Sequence, residues 1–321
     1  NELSNYREIK FLGKGSFGSA SLVEFTPTQQ QFVMKTIDVS AAPQDEMAKI
    51  IEEGRILSNL NHTNIIKYYT AFKHNHSYRI IMEYANSGDL KKHIETKQKS
   101  NEPLSTLEIL EMFAQLCSGL NYCHSHKVLH RDLKSENIFL HKENGKIILK
   151  IGDFGCAKAI SCTLAVAQTR IGTPLFMAPE FFLVRDLNYQ YECDVWSMGI
   201  ILYQMASFDY PFNANSIPSL KRVLQAMKYE PLKDQQLNKL FQLMCVFEPE
   251  KRIKASDMYQ LVAAFEPAQQ PQFPQPVFTP TKVKLTDLQD QIVESVPNMP
   301  FVPAPLPNQF AQPVHNQYQP V

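Results

Sequence analysis

The sequence carries no net charge: 32 basic and 32 acidic side chains cancel over 321 residues. This removes any bulk attraction to nucleic acid or to an acidic membrane and leaves local placement as the only source of charge selectivity. There is no apolar run of the ~18–20 residues needed to cross a bilayer. The opening residues, Asn1-Glu2-Leu3-Ser4, lack the basic and then apolar pattern of a secretory signal, and they lack an initiator methionine, as a trimmed chain would. Cysteine is scarce. The six residues (Cys117, Cys123, Cys156, Cys162, Cys193 and Cys245) form no Cys-x-x-Cys pair and no Cys/His ligand cluster, so a disulfide scaffold is excluded. Reduced thiols point to the cell interior: the cytoplasm, with a cytoskeletal or nuclear station also open. No internal repeat occurs. The remaining composition, 44% apolar and 20% charged, is that of a soluble globular protein with one large domain or two lobes.

Composition changes near residue 266. Residues 267–321 hold 12 of the 21 prolines, 10 glutamines and no glycine. Such a segment buries too little apolar surface to offset its ordering entropy, and it reads as an extended, mostly disordered tail. Polyproline II stretches fall at Pro271–Pro274 and Pro303–Pro307. Leu285, Leu288, Ile292 and Val296 recur at helical spacing. Residues 284–296 are therefore either a transient helix in a solvated tail or a docking helix for a groove.

The first ~85 residues alternate β-branched and aromatic residues, which predicts strands at Tyr6–Leu12, Ser19–Phe25, Gln31–Ile37, Ile65–Phe72 and Tyr78–Glu83. A helix is expected over Asp45–Leu60, where Met47, Ile50, Ile51, Ile56 and Leu57 keep a helical period. From Ser87 onward helical patterns dominate, at 104–124, 192–206, 218–228, 235–247 and 255–264. A strand-rich part followed by a helical part suggests two lobes.

Gly13-Lys14-Gly15-Ser16-Phe17-Gly18 is a G-x-G-x-x-G between two predicted strands. Glycines let the backbone approach phosphates and offer N–H donors. A dinucleotide fingerprint opens a helix, whereas a strand follows here, so the segment is either a hairpin lid over a nucleotide or an ordinary glycine-rich hairpin. Phe32-Val33-Met34-Lys35 then supplies a strand lysine. A buried lysine needs a charge partner to keep its proton. Glu53, on the inward face of the expected helix, is preferred over Glu52 for that role.

Next come His130-Arg131-Asp132-Leu133-Lys134-Ser135-Glu136-Asn137 and Ile151-Gly152-Asp153-Phe154-Gly155, followed by Gly172-Thr173-Pro174 and Ala178-Pro179-Glu180. Their order and spacing, with the glycine-rich loop and Lys35, match the protein-kinase signature set. The chain resembles a eukaryotic protein kinase over about residues 5–264. The resemblance implies an α+β, bilobed fold: a β-rich N-lobe (1–84), a helical C-lobe (85–266) and the Pro/Gln-rich tail. It also implies ATP and Mg²⁺ as cofactors and the phosphorylation of serine and threonine hydroxyls on protein substrates. A nucleotide-binding pseudokinase or a scaffold acting through its tail is the alternative.

The roles follow the chemistry of phosphoryl transfer, which needs positioning and charge neutralisation more than covalent help. Asn137 and Asp153 supply hard oxygens suited to Mg²⁺. The resemblance implies that Lys35 holds phosphates and is fixed by Glu53. Asp132 orients the substrate hydroxyl and accepts its proton. Lys134 neutralises developing charge, and the Thr173 hydroxyl meets the aspartate and the lysine, both marks of the serine/threonine class. The nucleotide is expected against Gly13, Lys14, Gly15, Ser16, Phe17, Gly18, Ala20, Val33 and Lys35, with Met82, Glu83 and Ala85 as gatekeeper and hinge, Asp89 at the pocket edge and Phe139 as floor. Ala20 and Val33 exchange the sizes usual in kinases, a swap that conserves volume. Glu136 stands where basophilic kinases read basic substrate residues, but Gln204 replaces the second acid expected there.

Glu180 with Arg252, and Asp194 with the catalytic-loop backbone, are expected scaffold contacts. His130, Phe154, Leu57 and Tyr68 are expected to stack as a spine. Asn61–Tyr69, Gly88-Asp89-Leu90 and Asn137–Leu140 resemble the NIMA-related (NEK) kinases, although Thr63 and Phe176-Met177-Ala178 depart from their usual residues. In that family the tyrosine matching Tyr68 can turn inward and inhibit; a plain spine filler is the other reading. Thr169, with Ser161 and Thr163 beside it, is an expected activation-loop phosphosite whose phosphate would pair with Arg131. The tail is expected to recruit proline-motif or helix-groove partners; no nucleic-acid or membrane partner is expected.

Overall fold

A computed structural model describes residues 2–15, 18–40, 54–154, 173–183 and 190–267. The chain divides into two units, Asn1–Gln275 and Pro276–Val321, and the second lies wholly outside the described residues.

The first unit opens with a five-stranded antiparallel sheet: β1 (Tyr6–Gly15), β2 (Gly18–Phe25), β3 (Gln30–Asp38), β4 (Tyr68–His74) and β5 (Ser77–Glu83), in the spatial order β1-β2-β3-β5-β4. Successive strands are joined by hairpins except β3 and β4. The chain between those two is helical at 54–58, and it returns to place β4 on the far edge. Alternation assigns the two faces. Val23, Phe32, Met34, Phe72 and Ile81 are buried together in a small core on one side. The opposite side carries Leu22, Val33, Lys35, Ile80 and Met82, which the register aligns across the strands.

The rest is helical apart from a two-stranded ribbon, β6 (Ile138–Glu143) and β7 (Lys146–Ile151). The helices are α1 (Leu90–Lys99), α2 (Thr106–Ser125), α3 (Glu180–Leu183), α4 (Tyr191–Ser207), α5 (Ile217–Ala226), α6 (Gln235–Met244) and α7 (Ala255–Val262). Two of them are the spine of this part. α2 starts at a capping box, in which Ser105 and Glu108 satisfy each other's main-chain N–H groups, and it packs on α7 and β7. α4 buries residues on every side and packs on α6. Gly119 of α2 lets the Asn64 carbonyl approach the helix; a Cβ there would lie 2.8 Å from that oxygen. Asn64 in turn accepts the Ile151 N–H and donates Nδ2 to the Leu149 carbonyl and to Gln115. A buried polar knot therefore joins the sheet region, α2 and β7.

Several boundaries differ from the sequence expectation. The strand expected from Ile65 begins at Tyr68; Ile65 makes only an isolated bridge to Ile151. β6, β7 and α1 had not been delimited. Of the helix expected at Asp45–Leu60, residues 45–53 lie outside the described residues, as does the entire expected 284–296 helix. Among the described residues, no helix is long and apolar enough to cross a membrane.

Candidate active site

The glycine-rich hairpin closes with Gly15 opposite Gly18. Gly18 has φ +135°, and a Cβ on it would sit 2.1 Å from the Thr36 carbonyl oxygen, so a side chain here would collide with β3. Gly13 differs: nothing lies within 4 Å of where its Cβ would be. Residues opposite one another in an antiparallel pair share a face. Gly13, Ala20, Lys35 and Ile80 form one such row, and Leu22, Val33 and Met82 form the next. Ala20 and Val33 are thus on one face in adjacent rows, where an exchange of small and large side chains keeps the volume nearly constant. Lys14 pairs with Ser19 and is exposed.

The chain leaves β5 through Glu83 and Ala85. The Glu83 N–H donates to the Lys67 carbonyl at 2.8 Å, so of its two main-chain groups only the carbonyl can serve an adenine. Its carboxylate is also occupied: Oε2 accepts the Lys67 N–H at 3.1 Å, and Oε1 meets Lys150 Nζ at 3.0 Å. Lys150, 4% exposed, donates as well to the Thr63 carbonyl at 2.7 Å. Asp89 caps α1 by accepting the Lys92 N–H at 2.9 Å and bridges to Phe139. Phe139 in turn packs under Gly152, where a Cβ would lie 3.0 Å from its ring.

The loop before β6 carries the acid–base chemistry. Asp132 accepts Lys134 Nζ at 2.9 Å and Asn137 Nδ2 at 3.2 Å on the same oxygen. Asn137 Nδ2 also donates to the Asp132 carbonyl at 2.8 Å, which leaves Oδ1 as its ligand atom. Lys35 Nζ forms an ion pair with Asp153 Oδ1. Two residues of this region hold left-handed backbone, Arg131 at φ +66° and Asp153 at φ +55°. Such conformations persist where surroundings over-determine them. His130 supplies part of that restraint. Wholly buried, it is pushed below the ordinary histidine pKa by burial, so the ring is neutral. Nδ1 accepts the Asp132 N–H at 3.2 Å, and Nε2–H donates to the Gly152 carbonyl at 2.9 Å. One ring therefore spaces the catalytic loop against the residue before Asp153.

His130 also lies tilted against Phe154 with centroids 4.6 Å apart, and Tyr68 meets the same ring edge-on at 6.4 Å. Three members of the expected spine, Tyr68, Phe154 and His130, are thus in ring contact, and Leu57 is buried as well; Tyr68 is packed, only 5% exposed. Glu180 and Arg252 make a two-point pair at 2.6 and 2.7 Å. The remaining Arg252 donors reach the carbonyls of Val246, Glu192 and Phe247, and its guanidinium lies 5.0 Å over Trp196.

Glu53, Ser16 and Phe17 lie outside the described residues, as do the Thr173 side chain and Cys156, Ser161, Cys162, Thr163 and Thr169. Thr173 itself opens a 3-10 turn that runs to Phe176. The described cysteines, Cys117, Cys123, Cys193 and Cys245, are free and buried, and burial raises each thiol. They are not thiolate nucleophiles.

Sequence reasoning missed Lys150 and its link to the hinge. A signal existed: one lysine inside the apolar run Ile147-Ile148-Leu149-Lys150-Ile151 must either point out or find an anion. The partner, 67 residues upstream, was not readable from spacing.

The donor set suits a hard cation bridged to phosphates. Asn137 and Asp153 offer oxygens only, and among the described residues no group of three or more His, Cys, Asp or Glu could hold a metal alone. Phosphate and water oxygens would have to complete the shell.

Comparison with known proteins agrees with this geometry. Residues 6–262 match the family described as Protein kinase domain. The probable serine/threonine-protein kinase nek3 of Dictyostelium discoideum is 40% identical over 244 residues, 75% of this chain and 22% of the relative. Mouse serine/threonine-protein kinase Nek3 is 38% identical over 218 residues, 68% of this chain and 41% of the relative. Human Nek5 is 33% identical over 242 residues, 75% and 33% respectively. The chain thus spans well under half the length of these curated relatives.

Proposed function

The chain belongs to the protein kinase family, of the NEK-like serine/threonine type, and from that premise we propose that it transfers the γ-phosphate of ATP, with Mg²⁺, to serine or threonine hydroxyls of protein substrates. The observation that carries this reading is the convergence of Lys134 and Asn137 on one carboxylate oxygen of Asp132, together with the Lys35–Asp153 pair.

ATP bound with Mg²⁺ supplies the electrophilic phosphorus. The protein's part is positional. Asn137 Oδ1 and Asp153 would hold the cation, and Lys35 would hold phosphate oxygens. Asp132 orients the incoming hydroxyl and takes its proton. Lys134, already on Asp132, is placed to offset charge that grows on the transferred group. Val33, Ala20, Met82 and Phe139 would enclose the adenine, with the Glu83 carbonyl and Ala85 as hinge groups. Glu53 as partner of Lys35, and Thr173 as partner of Asp132, complete the set.

Regulation by activation-loop phosphorylation at Thr169 is part of the same reading. It is supported by Arg131, whose buried Nε has no acceptor among the described residues. The pseudokinase alternative has no observation in its favour, because none of the residues such proteins lose is missing. The tail's role in recruiting proline-motif or helix-groove partners rests on composition alone. Deleting 267–321 should leave phosphotransfer intact and remove those partners.

The test is phosphotransfer by the purified chain to paired peptides that differ only in a serine, threonine or tyrosine acceptor. Mg²⁺-dependent labelling of serine or threonine, abolished by EDTA, is expected. Labelling of tyrosine alone, or none in phosphorylated and unphosphorylated protein alike, would refute the proposal.

A further inference from the structure

We propose that Lys91 is a specificity-determining residue: an internal cation seated on Glu136 beside the catalytic loop, through which protein substrates are accepted without a basic residue facing that acid. This rests on the kinase reading of the site and names the substrate class it selects.

Glu136 lies in the 3-10 turn Ser135–Asn137, next to the asparagine whose amide holds Asp132. Its side chain is 35% exposed. A carboxylate there, four residues from the catalytic aspartate, would attract a cationic side chain of any polypeptide presenting its hydroxyl to Asp132. The protein already supplies one. Lys91 Nζ sits 2.9 Å from Glu136 Oε1. Among the described residues, the other carboxylate oxygen has only the weak contact of Ser135 Oγ at 3.5 Å.

The placement follows from local structure. Asp89 caps α1, and Leu90 and Ile94 are its buried residues, so the first turn is fixed in rotation. α1 packs on the Ser135–Asn137 turn, and Lys91 is the residue this packing aims at Glu136. The Glu136 hydrogen bond raises the lysine pKa, so the cation persists through the physiological range. Two further groups frame the pair. Glu95, one turn on along α1, acts on Lys91 and on Tyr210, whose hydroxyl accepts Gln204 Nε2 at 3.1 Å. The patch therefore holds two acids and one internal lysine, and a glutamine is committed to a tyrosine.

A partly exposed lysine pair of this kind is weak. A substrate arginine, with its two-point fork, is the stronger partner for a carboxylate. Lys91 therefore lowers the advantage of a basic substrate rather than blocking the groove, and its removal should uncover that advantage.

The experiment uses the full chain and a peptide set with one serine among alanines, in which a single arginine is moved through each flanking position. Wild type, Lys91→Met, Glu136→Gln and the double variant are compared by kcat/KM. They are also compared by fluorescence anisotropy of peptide binding with a non-hydrolysable ATP analogue present. Wild type is expected to show less than about twofold preference for arginine at any position. Lys91→Met should raise it about threefold or more at one position or two adjacent ones, and Glu136→Gln in the same chain should cancel the gain. A flat profile for Lys91→Met, or a gain that survives Glu136→Gln, overturns the assignment. If no variant phosphorylates any peptide, the kinase reading fails separately, and the anisotropy comparison still decides the role of Lys91.

Discussion

Asp194, wholly buried on α4, accepts the main-chain N–H of His130 at 2.9 Å. The same oxygen meets His124 Nε2 at 3.0 Å, and the second oxygen accepts the N–H of Arg131 at 3.0 Å. Burial alone would raise this carboxyl; the contacts with His124 and with the His130 backbone outweigh it and hold the group below the usual aspartate value. One carboxylate of the helical spine thus tethers the residue that spaces the catalytic loop and the strained residue that follows it. Asp194→Asn replaces one of the two accepting oxygens by an NH2 donor, so one of the two N–H groups loses its acceptor. It should cost about 2–4 kcal/mol in denaturant unfolding and lower kcat at least tenfold. A variant with normal kcat would show that the loop holds its shape without the tether.

The two glycines of the hairpin should separate folding from nucleotide binding. Gly18→Ala forces a Cβ into the Thr36 carbonyl and should lower the melting temperature, at a cost of roughly 2 kcal/mol or more. Gly13→Ala has open space around it, so its stability should change by no more than about 1 kcal/mol. Any rise in KM for ATP would then report the approach of backbone to nucleotide. Equal destabilisation by both would contradict the geometry.

Lys150 predicts a double-mutant effect. Lys150→Met leaves the Glu83 carboxylate without its cation and should destabilise by about 1–3 kcal/mol, less than a fully buried pair because Glu83 is 20% exposed. Glu83→Gln in the same chain should recover part of the loss, giving a coupling of about 0.5 kcal/mol or more. Strict additivity would mean that the pair contributes nothing to the hinge.

Much of the site was readable because phosphoryl transfer dictates residue types at short range: Asp132, Lys134 and Asn137 sit within six residues of one another, and Asp153 follows one ribbon later. The nucleotide face was readable through the resemblance to kinases, and the strand register puts Val33 and Lys35 on one side of the sheet. What escaped needed the third dimension. β6 and β7 hold apolar and charged residues without clean alternation, because one side of the ribbon is covered and Lys150 is buried on a partner from the hinge. α1 buries only Leu90 and Ile94, too few to mark a helix by period. Ile65 looked like the start of a strand because a β-branched residue is buried there, but it packs by a single bridge to β7. Lys91 and Glu136 are 45 residues apart, and no spacing rule links them.

Buried His130 and half-buried His62 set a pH dependence. Burial lowers the pKa of His130 and of His62 below the ordinary value of 6.5. The unfolded chain therefore binds more protons than the folded one as pH falls below about 6.5, and stability drops with it. Unfolding free energy should be level above about pH 7 and decline from pH 6.5 towards 5. His130→Asn should flatten part of that decline. A stability that rises on acidification over this range would reverse the assigned sign.

The central claim is that Asp132 takes part in transfer rather than in nucleotide binding. The direct measurement is a single-turnover phosphotransfer rate for Asp132→Asn beside wild type, with Mg²⁺-ATP affinity measured on the same samples. The rate should fall by about 10²–10⁴-fold while affinity stays within about threefold of wild type. A variant that transfers phosphate at the wild-type rate would contradict the account.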